Sequence, residues 1–173
     1  MISKKMLAAI NDQINFELYS GYIYLAMAAD FRDKGMNGFA TWMEVQQKEE
    51  TFHAMKMYDY LAQRGGRIEL KAIGQPPKAW KTPLAAFEHA LEHEQVVTAR
   101  INRLVDLAMA EKDHASANFL QWYVNEQVEE EANVAEIIGQ LKMAKDAPNL
   151  VFMLDRELGQ RTFTPPTATA DAT

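Results

Sequence analysis

The chain has 173 residues, of which 48% are hydrophobic and 24% charged, a composition typical of one globular domain with one core. Its formal net charge of −6 disfavours nucleic acid and anionic membranes as partners, and the absence of cysteine excludes disulfides and thiolate metal sites. Since no apolar leader follows Met1 and no run of about 18 apolar residues could span a membrane, we expect a cytoplasmic protein.

Two long amphipathic helices are predicted in the N-terminal part of the chain. The first begins after the N-cap Ser3 and ends at about Lys34, and the second begins at the N-cap Asn37 and ends at about Arg64. Glycine follows both predicted ends, as is common at helix C-termini. Each helix of about 30 residues would be roughly 45 Å long, a length typical of helical bundles.

A long connection without helix signals follows the second helix. Residues 66–82 include the pair Pro76-Pro77, which prevents a helix there. At up to ~3.3 Å per residue, an extended segment of this length covers most of a helix of roughly 45 Å. The connection can therefore return the chain to the start of the second helix, so that the third helix runs parallel to the second. This arrangement predicts an all-α four-helix bundle with one long crossover.

Three further helices are predicted after the crossover: from the N-cap Thr82 to about Lys112, from the joint Asp113-His114 to about Lys145, and from Pro148 to Leu158. The last is a short fifth helix whose apolar edge packs either on the bundle or on another copy of the chain. We expect residues 1–160 to form one domain. Residues 161–173, rich in Thr, Ala and Pro, are predicted to be a disordered tail.

Each of the four long helices places one carboxylate on its inward, otherwise apolar stripe, close to half-way along the helix: Glu17, Glu50, Glu94 and Glu130. Because mid-helix positions of a bundle meet in one layer whatever the helix direction, we expect these acids to converge. His53, one turn after Glu50, joins them. Such a layer costs several kcal/mol per buried ion unless cations lie within it.

The residue types of this layer indicate the kind of cation. Oxygen ligands with one imidazole suit hard divalent metals or iron. Four carboxylates exceed the needs of one ion, so we expect two ions with Glu50 as the bridging ligand. Tyr24 and Gln127 lie on the same faces and are expected to donate hydrogen bonds to the ligands.

Three further acids lie one helical step away from the layer and predict a wetter, weaker third site: Glu49, Glu126 and Glu129. The alternative for these residues is a solvated helix face without a metal. The remaining histidines, His89, His93 and His114, fall off the inward stripes or at a joint, and we expect them at the surface.

Over residues 1–160 the chain resembles the ferritins, specifically the bacterial non-haem type. The resemblance includes the matched acids, the Glu-x-x-His pair at 50–53, Tyr24, Gln127, the long crossover and the short helix after Pro148. It implies a ferritin-like four-helix bundle with a fifth helix, assembled as a hollow shell of 24 copies. It also implies a di-iron ferroxidase centre that oxidises Fe(II) with dioxygen or hydrogen peroxide, and a store of ferric mineral in the cavity.

The resemblance assigns roles by position. The first iron has the ligands Glu17, Glu50 and His53. The second has Glu50, Glu94 and Glu130. The third site has Glu49, Glu126, Glu129 and Glu130, and Tyr24 is the tyrosine beside the centre.

Two differences from related proteins narrow the type of ferritin that the chain resembles. Bacterioferritins and di-iron oxygenases carry a second histidine on the fourth helix, and the segment 126–129 has none. Haem-binding relatives carry methionine after the bridging glutamate, where this chain has Thr51, so we expect no haem.

Two other functions compete with a ferroxidase and iron store. One is a small di-iron redox enzyme that acts on an organic substrate or peroxide, which the missing histidine and the fifth helix disfavour. The other is a helical bundle without activity whose acids face solvent.

Overall fold

The computed structural model describes residues 2–145 and 147–165, which form five α-helices and no strand. The helices are α1 (Lys4–Asp33), α2 (Asn37–Gln63), α3 (Pro83–Ala110), α4 (His114–Met143) and α5 (Pro148–Leu158). The all-α prediction is confirmed, and each helix lies where the sequence predicted it. The helix ends differ from the prediction by one or two residues, as terminal turns commonly do.

Local sequence signals start three of the four long helices. The hydroxyl of Ser3 accepts a hydrogen bond from the Met6 amide at 3.1 Å and caps α1. Thr82 caps α3 in the same way, with Pro83 in the first turn. Asp113 caps α4 through the Ser116 amide at 3.1 Å. Each cap satisfies a backbone donor that the helix itself leaves free.

The start of α2 is different, and the prediction of Asn37 as its N-cap is wrong. The N-cap is Met36, whose side chain makes no capping hydrogen bond. The carboxylate of Asp155 in α5 accepts from the Phe39 amide at 2.9 Å instead. The first turn of α2 is therefore capped by a residue 116 positions further along the chain.

Side-chain contacts between helices give their directions. Gln13 and Tyr24 of α1 contact Arg100 and Glu94 of α3 respectively, so these two helices are antiparallel. The connection of only three residues between α1 and α2 makes that pair antiparallel too. Consequently α2 and α3 run parallel, as the sequence predicted.

The crossover lies along α1. Near its beginning, the Asn11 amide donates to the Arg67 carbonyl at 3.0 Å and its oxygen accepts from the Glu69 amide at 2.8 Å. Near its end, the Trp80 amide donates to Asp30 at 3.2 Å. The connection therefore spans from the first turns of α1 to its last, the distance that the predicted parallel arrangement requires.

The apolar core consists of two clusters. One contains Phe31, Phe39 and Phe87 near the α5 end of the bundle, and the other contains Ile10 and Leu61 near the opposite end. In each of the four long helices, the acid predicted for the central layer lies between the stretches that contribute to the two clusters. The bundle is thus two apolar halves with a polar layer between them.

The C-terminal segment follows α5. Residues 161–165 of the predicted disordered tail are described and contain no helix, while 166–173 lie outside the described residues. The boundary predicted at 160 stays a prediction. Within the described ranges, no helix is both long enough and apolar enough to cross a membrane.

A substitution at Gly38 can test how closely α5 packs on α2. A Cβ atom at Gly38 would lie 1.5 Å from the backbone carbonyl oxygen of Asp155, so an alanine there must push α5 away. We expect Gly38→Ala to lower the free energy of unfolding by about 2 kcal/mol or more, measured by urea denaturation. The matched control is Gly139→Ala, where no atom lies within 4 Å of an added Cβ. That variant should gain about 0.5–1 kcal/mol from helix propensity, and equal effects of the two substitutions would contradict this packing.

Candidate metal centre

Glu17, Glu50 and His53 form the innermost group of the polar layer. One ligand atom of each lies within 4.8 Å of the others, and the three residues are at most 2% exposed. The Nδ1 atom of His53 lies 3.7 Å from Oε2 of Glu50. This is the set of residues that the resemblance assigns to the first iron.

A second group shares His53 and extends outward. His53, Glu126 and Glu130 also have ligand atoms within 4.8 Å of one another. The Nε2 atom of His53 lies 3.9 Å from Glu126, whose side chain is 26% exposed. The imidazole therefore faces the buried group with one nitrogen and a solvent-accessible carboxylate with the other.

Glu94 belongs to the same layer but is held by two donors. The Tyr24 hydroxyl donates to Oε1 of Glu94, and the Gln127 amide donates to Oε2 at 3.1 Å. Burial raises the pKa of Glu94 to about 7 although both hydrogen bonds lower it. In the described part of the chain, the set predicted for the second iron, Glu50, Glu94 and Glu130, does not form a group as tight as the other two.

Burial and mutual repulsion favour the protonated form of the other inner carboxyls. Burial, followed by the charges of Glu94 and Glu17, raises the pKa of Glu50 well above its usual range. Burial, followed by the charge of Glu94, raises the pKa of Glu130 to about 8. At neutral pH and without a metal, the layer therefore retains protons that a bound cation would displace.

Two glutamines that the sequence analysis did not single out support the acids. Gln13 donates to Glu17 at 2.8 Å, and Gln46 donates to Glu130 at 2.7 Å. Both amides are almost completely buried. The available signal was an amide on the inward face one helical turn before an acid, at 13 before 17 and at 46 before 50.

The His53 segment is held by aromatic residues of α4. The Tyr123 hydroxyl donates to the backbone carbonyl of His53 at 2.8 Å, and the Trp122 ring lies 5.4 Å from the imidazole, edge to face. Burial raises the pKa of Tyr123 well above its usual range, so it remains a donor. These contacts fix α2 against α4 at the height of the polar layer.

Two carboxylate oxygens of the layer have no hydrogen-bond partner in the part of the chain that the structure describes. Among the described residues, Oε2 of Glu17 and Oε2 of Glu50 are buried and accept no hydrogen bond. Unsatisfied buried carboxylate oxygens are costly, and a metal ion between them would coordinate both. The residues present thus fit a divalent cation, including iron as a substrate.

The three predicted outer acids are only partly brought together. Glu126 joins the second group, whereas Glu129 is exposed. Glu49 is mostly buried and pairs with Arg161, whose Nη2 lies 2.7 Å from Oε2 of the carboxylate. Burial raises the pKa of Glu49, the Arg161 charge lowers it, and the charge of Glu126 raises it.

The prediction that His93 lies at the surface is wrong. His93 is 8% exposed, contacts the Ser20 hydroxyl at 2.8 Å and stacks on Phe16 at 5.3 Å between ring centroids. Burial lowers its pKa to about 4, so the ring is neutral. The α3 face beside the inward stripe is covered by α1, which the periodicity of α3 alone does not reveal.

The inner carboxyls should make the stability of the metal-free protein depend on pH. Glu94 and Glu130 have pKa values of about 7 and 8 when folded, against 4.5 for an unperturbed glutamate, so the folded state binds more protons between pH 4.5 and 8. The free energy of unfolding therefore falls as pH rises through this window. We expect Glu130→Gln to flatten this fall and to stabilise the metal-free protein at pH 8 by about 1–3 kcal/mol. Denaturant unfolding with a chelator present measures both effects.

The control for this prediction is Glu92→Gln, which neutralises an exposed carboxylate on α3. It should leave the pH dependence of unfolding unchanged. A steeper or identical slope in the Glu130→Gln variant would contradict a protonated inner layer.

Comparison with known proteins identifies the fold and the family. A family model described as Ferritin-like domain matches residues 7–144. The chain is 47% identical over 161 residues to a bacterial non-heme ferritin of Bacteroides fragilis (strain 638R), covering 93% of this chain and 100% of the relative. It is 40% identical over 163 residues to a bacterial non-heme ferritin of Staphylococcus aureus (strain MRSA252), covering 94% and 98% respectively.

Solved structures agree with these relatives. An open pore ferritin of the hyperthermophilic archaeon Archaeoglobus fulgidus superposes with a TM-score of 0.93 at 52% identity, covering 94% of this chain and 100% of the other. An engineered closed form of the same protein gives 0.94 at 53% identity, covering 95% and 100%. The resemblance stated from the sequence is confirmed: the chain belongs to the ferritin family of iron-storage proteins.

Proposed function

We propose that this ferritin oxidises Fe(II) to Fe(III) within the bundle and stores the ferric product inside a hollow shell of 24 copies. The observation that carries the proposal is the pair of buried, unpartnered carboxylate oxygens on Glu17 and Glu50, beside His53. Iron is the substrate of the reaction, and dioxygen or hydrogen peroxide is the electron acceptor. Two Fe(II) ions supply the two electrons that, with two protons, reduce dioxygen to hydrogen peroxide, or hydrogen peroxide to two water molecules.

In this proposal Glu17, Glu50 and His53 bind one iron, and Glu50, Glu94 and Glu130 bind the other. Glu50 belongs to both sets; burial raises its pKa, and the charges of Glu94, Glu17 and Glu130 raise it further. It is therefore the residue placed to bridge the ions. Glu94 must turn from its present donors toward the second iron, since its three-residue set is not yet a tight group.

Tyr24 and Gln127 hold Glu94 in the layer. Because the Tyr24 pKa is raised well above its usual range by burial and then by the charge of Glu94, its hydroxyl keeps its proton and donates a hydrogen bond to Glu94. Gln127 donates to the second oxygen of the same carboxylate. Tyr24 and Gln127 therefore orient a metal ligand. The carboxyl groups release protons when the metal binds, and this loss compensates the positive charge of the incoming ion.

The outer acids Glu49, Glu126 and Glu129, with Glu130, form the proposed third site through which product leaves the centre. The support is a gradient of exposure from the buried Glu130 through the half-buried Glu126 to the exposed Glu129. A cation regains hydration along this direction. The site is thus suited to transient binding.

Self-association follows from the family and from the surface of α5. Leu150, Phe152 and Met153 are 44%, 63% and 65% exposed, an apolar face that we propose is covered by other copies in the shell.

The proposed location is the cytoplasm, a reducing compartment in which Fe(II) is available. Haem plays no part in the proposal.

Replacing the bridging carboxylate should abolish rapid oxidation. We expect Glu50→Ala to slow the initial oxygen-dependent oxidation of Fe(II) by about 100-fold or more, because both irons lose a shared ligand. The rise in ferric absorbance after anaerobic mixing and exposure to oxygen measures the rate. Glu44→Ala, on the same helix but at the surface in an ion pair with Arg32, is the control and should retain the wild-type rate. A wild-type rate in Glu50→Ala would sink the assignment of the centre.

Particle size separates an iron store from a small di-iron enzyme. With 24 copies of the 19.6 kDa chain, the shell would have a mass of about 470 kDa. Sedimentation velocity should show one species of this size. A monomer or dimer would contradict storage in a shell and favour the enzyme that acts on an organic substrate.

A further inference from the structure

Arg161 pairs with Glu49, one of the acids of the proposed third site, hereafter called the outer site. Arg161 lies three residues after the last residue of α5, and its guanidinium is 2.7 Å from the Glu49 carboxylate. Both side chains are mostly buried, at 23% and 22% exposed. The pair therefore lies where salt screens it weakly.

The surroundings of Arg161 hold the guanidinium in this position. It stacks over the Trp42 ring at 4.6 Å from the ring centroid. The segment is anchored one turn and a half earlier, where Asp155 caps α2. Arg161 is thus fixed against α2 by a ring, by an acid and by the helix that precedes it.

The hydrogen bonding of Arg161 is incomplete. Its Nη1 atom is buried and has no partner among the described residues. Buried donors are generally hydrogen-bonded. The Arg161 guanidinium neutralises a carboxylate while leaving part of its own hydrogen-bonding capacity unused.

We propose that Arg161 is the built-in counter-cation of the outer site, which a metal ion must displace in order to bind Glu49. The inference rests on the proposed function, because it takes Glu49 and Glu126 as metal ligands. Glu49 lies one helical turn before His53 on α2, and the Nε2 atom of His53 is 3.9 Å from Glu126, so both acids flank the same side of His53. A metal ion between them would stand beside the guanidinium, and two cations on one carboxylate repel each other.

A cavity beside Arg161 can accept its side chain when a metal ion displaces it from Glu49. A cavity of about 240 Å³ is lined by Arg161 and Trp42 together with the acids Glu136 and Glu157. The guanidinium can turn into this cavity and remain near negative charge. Metal binding at the outer site thereby moves the Arg161 side chain, and the cost of that movement keeps the outer site weaker than the inner ones.

Zn²⁺, which is not oxidised or reduced, tests the inference by calorimetry on the assembled, metal-free protein. Wild type should show two tighter inner ions and one weaker outer ion per chain. Arg161→Gln should raise the Zn²⁺ affinity of the outer step by about tenfold and leave the affinities of the inner steps unchanged. An increase of about tenfold is the effect expected from removing one charge-assisted hydrogen bond that competes with the metal. Arg161→Lys, which keeps the charge but not the planar fork, should fall between the two.

Two variants control this experiment. Arg156→Gln removes the same charge from the exposed surface of α5 and should leave all steps at wild-type values. The double variant Arg161→Gln with Glu49→Gln should not show the increase in outer-step affinity, because it lacks the ligand that Arg161 blocks.

The outcomes are distinguishable. An outer step of equal affinity in wild type and Arg161→Gln, with the inner steps intact, overturns the role of Arg161 alone. An equal gain in Arg156→Gln overturns it as well, since net charge would then explain the effect. Failure to bind any inner Zn²⁺ in wild type overturns the proposed function and this inference with it.

Discussion

The burial of four carboxylates in one layer is the constraint on which the rest of this structure depends. Each acid alone would lose its hydration on folding, and together they repel one another. The raised pKa values of Glu50, Glu94 and Glu130 are the direct expression of that cost. The apolar clusters on either side of the layer supply the favourable free energy that holds it closed.

Neutral donors form hydrogen bonds to three of the four acids in the layer. Gln13 holds Glu17, Gln46 holds Glu130, and two donors hold Glu94. Glu17 and Glu50 each keep one buried oxygen that has no partner in the described structure. These two oxygens lie beside His53, and a metal ion bound there would satisfy both of them.

Local patterns predicted most of this arrangement, and distant contacts account for what they missed. The apolar periodicity gave the five helices, and the mid-helix position of one acid on each gave the layer, because both are properties of single helices. The cap that Asp155 provides and the pair between Arg161 and Glu49 join residues 116 and 112 positions apart. No local signal reveals such pairs. His93 was misplaced for the same reason, since the face that covers it belongs to another helix.

The two sides of the layer differ in their access to water. On the α1 and α3 side, Tyr24 and Glu94 are completely buried, and a neutral histidine closes the face beside them. On the α2 and α4 side, His53 leads to Glu126, which water reaches. An ion of higher charge gains more from rehydration than one of lower charge. In the proposed function, a ferric product that moves toward α2 and α4 therefore regains hydration as it reaches the outer acids beside Arg161.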